Sequence, residues 1–314
     1  MIKRIVLYSL LFTSLLSVSA YAGTDDETAY ALNTLLFLVS GFLVMLMAAG
    51  FCMLESGMVT SKSVSTIAAK NIGLYSIAGL MFWVIGYNVA YGIPEGGYIG
   101  SFTPWSDASA IDTGYSDGSD WFFQMVFCAT TVSIVSGTLA ERIKIWPFFL
   151  FAAILTGVIY PIEMGWQWGG GWLSAAGFSD FAGSTLVHAA GGAAALAGAI
   201  VLGPRLGRFN NGKLVPFASS SIPLATLGTF ILWFGWFGFN GGSQLALAGF
   251  ENATAVATIY INTNLAACAG VMTCAVITRL INGKTDVIMM LNGALGGLVA
   301  ITAEPLTPTP LMAI

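Results

Sequence analysis

Between residues 32 and 303 the sequence divides into eight apolar stretches, at approximately 32–54, 71–93, 121–139, 147–165, 183–203, 218–240, 254–278 and 287–303. Each is close to the ~20 residues, at 1.5 Å rise apiece, that a helix needs to cross the hydrocarbon core of a bilayer. That layout restricts the chain to an all-α polytopic membrane bundle, because in lipid only helices and closed barrels satisfy every backbone N–H and C=O. Composition agrees. The chain is 56% hydrophobic and 8% charged, against roughly 25% charged in a soluble domain. Its 38 glycines suit helices that touch backbone to backbone. A net charge of −4 leaves no basic footprint for nucleic acid.

The charges divide by connection. After residue 22 the basic residues are Lys62, Lys70, Arg142, Lys144, Arg205, Arg208, Lys213, Arg279 and Lys284, and this parse puts all of them after spans one, three, five or seven. The intervening connections carry Glu95, Asp107, Asp112, Asp117, Asp120, Glu163, Asp180 and Glu251, with no Lys or Arg. The positive-inside rule then makes the basic connections cytoplasmic and the acidic ones external, in an inner (plasma) membrane. Residues 1–22 read as a signal peptide: Lys3 and Arg4, an apolar run from Ile5 to Leu16, and Ala20-Tyr21-Ala22 as cleavage site. An uncleaved first span is the alternative. Cleavage would leave residues 23–314 as one membrane domain with its N-terminus outside. The connection from Pro94 to Asp120, rich in Gly, Ser and Asp, reads as an external surface loop.

The stretch Asp180–Leu202 holds the sole histidine of the chain, His188, with no other ionisable group from Phe181 onward. An imidazole at that depth is costly unless it faces protein or a water-lined path, so it is either functional or a satisfied structural histidine. Asp180 lies eight residues earlier, ~12 Å along a continuous helix, too far for a bonded acid/base pair. Its expected task is to cap the N–H groups at the helix entrance.

Most tryptophans (Trp121, Trp166, Trp172, Trp233, Trp236) read as an interfacial belt. Trp168, beside Gly169-Gly170-Gly171 and twelve residues before Asp180, is placed to present its face over a cation-attracting vestibule. Phe123 and Phe127 share a helix face. They and Phe237 and Phe239 are either packing or a gate. Ser243 offers an acceptor hydroxyl or a cap, and Glu55 and Glu141-Arg142 read as local pairing or capping. Cys52, Cys128, Cys268 and Cys274 read as small buried hydrophobes without metal-ligand spacing. One histidine excludes a two-His metal site. No P-loop or Gly-x-Ser-x-Gly is present, so neither catalysis, metal nor cofactor is expected.

Four segments resemble the ammonium transporters of the Amt/Mep/Rh family. They are Leu54-Glu55-Ser56-Gly57 to Lys62, Leu139-Ala140-Glu141-Arg142, Asp180-Phe181-Ala182-Gly183-Ser184 to His188, and Gly235-Trp236-Phe237-Gly238-Phe239-Asn240. The resemblance implies a fold of eleven helices, ten in an inverted five-plus-five repeat around a narrow pore, assembled as a homotrimer. By motif, Trp168 and Ser243, with Phe127 and Asp180, would form an outer ammonium-recruitment site. Phe127 and Phe239 would stack as a gate near Phe123, and His188 would line the pore with Trp236. Ammonium or ammonia would be the substrate, and a PII-type cytoplasmic protein a possible regulator. The chain ends after its eighth span, so the segment expected to carry a second pore histidine is missing. Either a fragment of a longer reading frame or a degenerate homologue is expected. The leading expectation is transmembrane ammonium transport. An ammonium sensor that feeds a signalling partner, or a non-conducting fragment, are the alternatives.

Overall fold

Polar caps carry the helices beyond their apolar stretches. In the computed structural model, which describes residues 25–106 and 113–314, α1 (Asp26–Met58) begins where the Asp25 carboxylate accepts from the Thr28 N–H at 2.7 Å. Asp26 and Glu27 sit in its first turn, where the helix dipole favours negative charge. A 3₁₀ turn, Ser61–Ser63, leads into α2 (Val64–Met81). A π-helical turn, Phe82–Gly86, joins α2 to α3 (Tyr87–Tyr91). Next come α4 (Asp117–Leu139) and α5 (Ile145–Ile154). A second π turn, Leu155–Ile159, joins α5 to α6 (Tyr160–Gly165), and α7 (Trp172–Ala175) is short. A third π turn, Ser184–Ala189, opens α8 (Ala190–Leu202). A small hairpin pairs β1 (Phe209–Asn210) with β2 (Lys213–Leu214), Phe209 opposite Leu214. The chain closes with α9 (Ile222–Gly242), α10 (Phe250–Asn282) and α11 (Val287–Thr302).

Seven helices among the described residues are long and apolar enough to cross a membrane; α11 is a shorter apolar helix. The bundle is therefore that of a multi-pass membrane protein. The signal-peptide reading and Asp107 and Asp112 lie outside the described residues.

One expectation about charge is corrected. The second span starts at Ser61 rather than residue 71, so Lys70 lies inside the helix and not in a connection. It is 3% exposed, donates to the Ser136 carbonyl at 2.5 Å and lies 3.7 Å from Glu55 Oε2. A lysine is tolerated there because a carboxylate and a carbonyl are buried with it. Likewise α4 begins at Asp117, four residues before the expected Trp121.

The connections sort onto two faces. Glu141, in the left-handed region at φ 61°, accepts from the Thr60 N–H at 3.2 Å and from Ser63 Oγ at 2.8 Å, and also from the Thr60 hydroxyl. Arg205 pairs with it at 2.9 Å. Burial raises the Glu141 carboxyl, but these donors and Arg205 outweigh it and hold it below the usual carboxylate range. Three basic connections thus meet on one carboxylate. On the opposite face Asn33 donates to the Gly114 carbonyl and accepts from the Leu247 and Ala248 N–H groups, tying acidic connections together.

Lipid tails are as apolar as leucine, so helices here associate by close packing rather than by escape from water. The most extensive interface, α1 against α9, is lined with glycine. A Cβ on Gly57 would come within 2.5 Å of the Ala225 nitrogen and the Ser221 carbonyl oxygen. Those are backbone atoms, so no side chain can swing away. Gly57→Ala is expected to cost about 1–3 kcal/mol, the usual penalty of overpacking, read as a lower melting temperature in detergent. Gly192→Ala, with nothing within 4 Å of its Cβ, is expected to leave melting unchanged or slightly higher.

Candidate functional site

The acidic face opens into a cavity of about 420 Å³, with room for roughly fourteen waters at ~30 Å³ each. Trp168, Asp180, Phe127 and Ser243 line it, joined by Tyr87 and Asp120. Asp120 is buried and accepts from the Tyr87 hydroxyl at 2.6 Å and from Gln124 Nε2 at 3.2 Å. Tyr115, at the rim, has its hydroxyl pushed up to about 12, mainly by burial and then by Asp120 and Asp117, and so stays protonated. Ser243 caps the end of α9, donates to the Phe239 carbonyl at 2.9 Å and lines the cavity.

Asp180 is the hinge of this wall. Its Oδ1 accepts from the N–H groups of Gly183 (2.9 Å) and Ser184 (3.0 Å), and its Oδ2 from Thr185 (2.7 Å) and Leu186 (2.9 Å). These are the unpaired donors every helix start leaves. Gly183, at φ 100°, takes a left-handed turn that a side chain would resist, and so feeds the π turn. The loop is also sewn to the end of α11: Phe181 N–H to the Ala303 carbonyl, Ala182 N–H to Thr302, and Ser184 Oγ to Val299. Trp168 Nε1 donates to the Asp180 carbonyl at 2.9 Å, which fixes the indole above the entrance.

Below the cavity floor stands a block of rings. Phe127 and Phe239 stack at 4.0 Å between centroids, 23° from parallel, and Trp168 meets Phe127 edge-on at 5.9 Å. Phe123 packs on Phe127 at 4.7 Å. One turn further in, His188 lies against Trp236 at 4.9 Å and 10°, and 5.4 Å from Phe239. His188 is 8% exposed, and its Nε2 has no protein hydrogen-bond partner. Trp236 Nε1 donates to Thr302 Oγ1 at 2.7 Å, and that oxygen lies 3.1 Å from Asn240 Oδ1. Trp236 is thus buried and bonded, not part of an interfacial belt. Phe237, on the other side of α9, packs on Tyr260 instead. Past this block, α4 presents Ser133, Ile134 and Gly137 to a second cavity of about 280 Å³ that reaches toward the basic face.

The sequence profile of the Ammonium Transporter Family matches residues 35–314. The chain belongs to this family. Over 300 residues it is 40% identical to the Synechocystis protein sll1017, covering 93% of this chain and 67% of that one. Against ammonium transporter Amt2 of Archaeoglobus fulgidus it is 45% identical over 285 residues, 85% of this chain and 58% of the relative. The chain therefore spans about two thirds or less of these relatives' lengths. Among solved structures it matches one titled Sensor Amt Protein at a TM-score of 0.87 and 36% identity, covering 92% of this chain and 72% of the other. It also matches Candida albicans Mep2 at 0.81 and 27%, covering 92% and 64%.

In this ammonium-transporter-family chain the residues singled out from sequence converge. Trp168, Phe127, Asp180 and Ser243 share one cavity, and Phe239, His188 and Trp236 lie directly inward of it. Asp120, Tyr87 and Gln124 escaped the sequence reading. Their signal was present, since Asp120, Phe123, Gln124 and Phe127 follow the three-and-four spacing of one helix face. The cysteines are free, but Cys268 is exposed on the outside of the bundle, not buried. A small uncharged thiol suits a lipid-facing surface.

Asp180→Ala would orphan four N–H groups, at about 1–3 kcal/mol for each left buried without a partner. It is expected to abolish the monodisperse folded species on size-exclusion chromatography. Asp180→Asn keeps one accepting oxygen and is expected to fold with a lowered melting temperature.

Proposed function

We propose that the full-length protein carries ammonium across the membrane, drawing it into the acidic-face cavity as the cation and passing it onward as ammonia. The observation that carries this reading is the stacked Phe127–Phe239 pair, set between an acid-lined cavity and a buried histidine. Stripping water from a cation costs many kcal/mol. The Trp168 and Phe127 faces offset part of that cost by cation–π attraction, each ~0.5–2 kcal/mol. Asp180 and Asp120 add negative charge, and Ser243 offers an acceptor. Among the described residues, no basic side chain lines this cavity to oppose a cation. Beyond the ring pair the path is apolar, which favours a species that has left its proton behind. His188 Nε2, uncommitted and on the inner side of the gate, is placed to take the proton and hand it inward apart from the ammonia, so that each crossing moves one net charge.

In this reading the acidic face is external and the basic face cytoplasmic in a plasma membrane, residues 1–22 are a cleaved leader, and residues 23–314 form one membrane domain. Assembly as a homotrimer and control by a PII-type protein belong to the same proposal, as does the absence of any catalytic or metal centre. A second reading has one specific support, the similarity to the structure titled Sensor Amt Protein: the outer cavity would then be a binding input for signalling.

Currents triggered by ammonium jumps on proteoliposomes of the full-length protein separate the two. A conducting protein gives a sustained charge transfer, and a sensor gives binding without it. His188→Ala is expected to change ammonium conductance, or its selectivity over potassium, by roughly tenfold, equal to 1.4 kcal/mol, with assembly intact. Unchanged conductance and selectivity would remove the role given to this imidazole.

A further inference from the structure

Ammonium fills little of the outer cavity. A cation with one heavy atom takes about the ~30 Å³ share of a single water, in a space of about 420 Å³. Aromatic residues supply much of the wall. Tyr87, Tyr91, Tyr115, Trp168 and Phe181 line it, and all of them are half-buried rather than sealed into the core. Two are held by their polar ends. The Tyr87 hydroxyl donates to Asp120 at 2.6 Å, and Trp168 Nε1 donates to the Asp180 carbonyl at 2.9 Å. Tyr91 packs on Tyr87 at 4.9 Å between centroids, and Tyr115 on Phe37 at 4.5 Å. The wall is therefore a set of rings with fixed orientations.

The carboxylates around this space supply charge rather than free acceptors. A carboxylate has about four lone-pair sites, and Asp180 already takes the N–H groups of Gly183, Ser184, Thr185 and Leu186. Asp120 is buried and takes Tyr87 and Gln124. Asp117 is a third carboxylate on the wall. Attraction that comes from charge and ring faces needs no N–H donor on the ligand. It suits a cation sheathed in methyl groups, which buries apolar surface against the rings and has no hydrogen bond to lose. Rings gathered around a positive charge are the setting in which quaternary ammonium groups are recognised. Tetramethylammonium takes on the order of five waters' share, so it fits. The floor sets the opposite condition. Phe127 and Phe239 are stacked at 4.0 Å, and a quaternary nitrogen has no proton to leave behind, so it cannot go on as a neutral species.

We propose that the outer cavity also binds quaternary ammonium cations, which occupy the place where ammonium enters and go no further. Their competition with ammonium rests on the transport reading, whereas their binding rests on the cavity alone.

Titration calorimetry on the unaltered full-length protein in detergent tests the binding. Tetramethylammonium is expected to bind saturably. Choline is expected to bind about tenfold more tightly than its uncharged carbon analogue, which carries a tert-butyl group in place of the trimethylammonium, because only the charged head gains cation–π attraction. No saturable binding of tetramethylammonium, or equal binding of the uncharged analogue, would overturn the proposal. Tyr115 separates ring from hydroxyl. Tyr115→Phe is expected to bind within about twofold of the parent and Tyr115→Leu about tenfold more weakly, the scale of one cation–π contact. Equal losses in both variants would overturn the role of the rings. On proteoliposomes, tetramethylammonium is expected to raise the half-saturating ammonium concentration, leave the maximal current unchanged and carry no current itself. A lowered maximum at constant half-saturation would put its site elsewhere and overturn the proposal, as would a tetramethylammonium current. A parent protein that conducts no ammonium, yet binds tetramethylammonium and releases it to ammonium, would count against transport while leaving this site standing.

Discussion

The site depends on one carboxylate answering four backbone donors. Because Asp180 takes the N–H groups of Gly183 through Leu186, the π turn that opens α8 can start at the cavity wall with its first donors bonded. The same residue's carbonyl holds the Trp168 indole, and its neighbours are bonded to the end of α11. The outer wall, the gate and the histidine are therefore referenced to a single loop. A displacement of that loop would move the recruiting ring and the imidazole together. On the proposed transport reading, this is the rigidity a narrow path needs.

Much of this was readable in the residues. Apolar length and charge alternation give the bundle, and the connections do collect on two faces through Glu141 on one side and Asn33 on the other. The Asp180 cap was also inferable, because eight residues of helix forbid contact with His188 and a carboxylate at a helix start has an obvious task. Lys70 was misplaced because hydropathy counts a lysine as an end, whereas a buried partner from another helix, Glu55, lets the helix run past it. The three π turns were invisible as well. They are set by how backbones fit between neighbours, as where Gly86 lies 3.2 Å (from a built Cβ) from the Thr156 carbonyl oxygen, and no residue type announces that. Asp120 was overlooked for a third reason, since it was counted as loop charge when it already belongs to the α4 face that carries Phe127.

The tryptophans show why residue type alone underdetermines role. Trp105 stacks on Trp121 at 5.4 Å, and Trp166 packs with Trp172 at 5.7 Å, in clusters that stiffen the acidic-face loops. The indole N–H groups of Trp168, Trp236 and Trp166 are each taken up by a specific acceptor, the Asp180 carbonyl, the Thr302 hydroxyl and the Tyr98 carbonyl, but of these only Trp168 and Trp236 pack on the Phe127–Phe239 ring block. A ring whose polar edge is bonded is locked in orientation, and its face is then available as a fixed wall.

On the proposed transport reading the path would run from the outer cavity through the ring block to the inner cavity, and the order of the groups along it has a physical logic. Acceptors and ring faces gather around an outer cavity that no basic side chain lines among the described residues, so on that reading a cation is stabilised before it meets the stacked rings. In the middle, Trp236 and Asn240 satisfy each other through Thr302, which removes polar groups that could hold a stray water or ion in place. His188, stacked on Trp236, keeps its Nε2 without a protein partner. An ion bound too well at the centre would not leave, so the interior has to favour the neutral species. On the proposed reading, affinity that is strong at the outer cavity and absent at the ring block would let a small amine enter readily and cross without its charge.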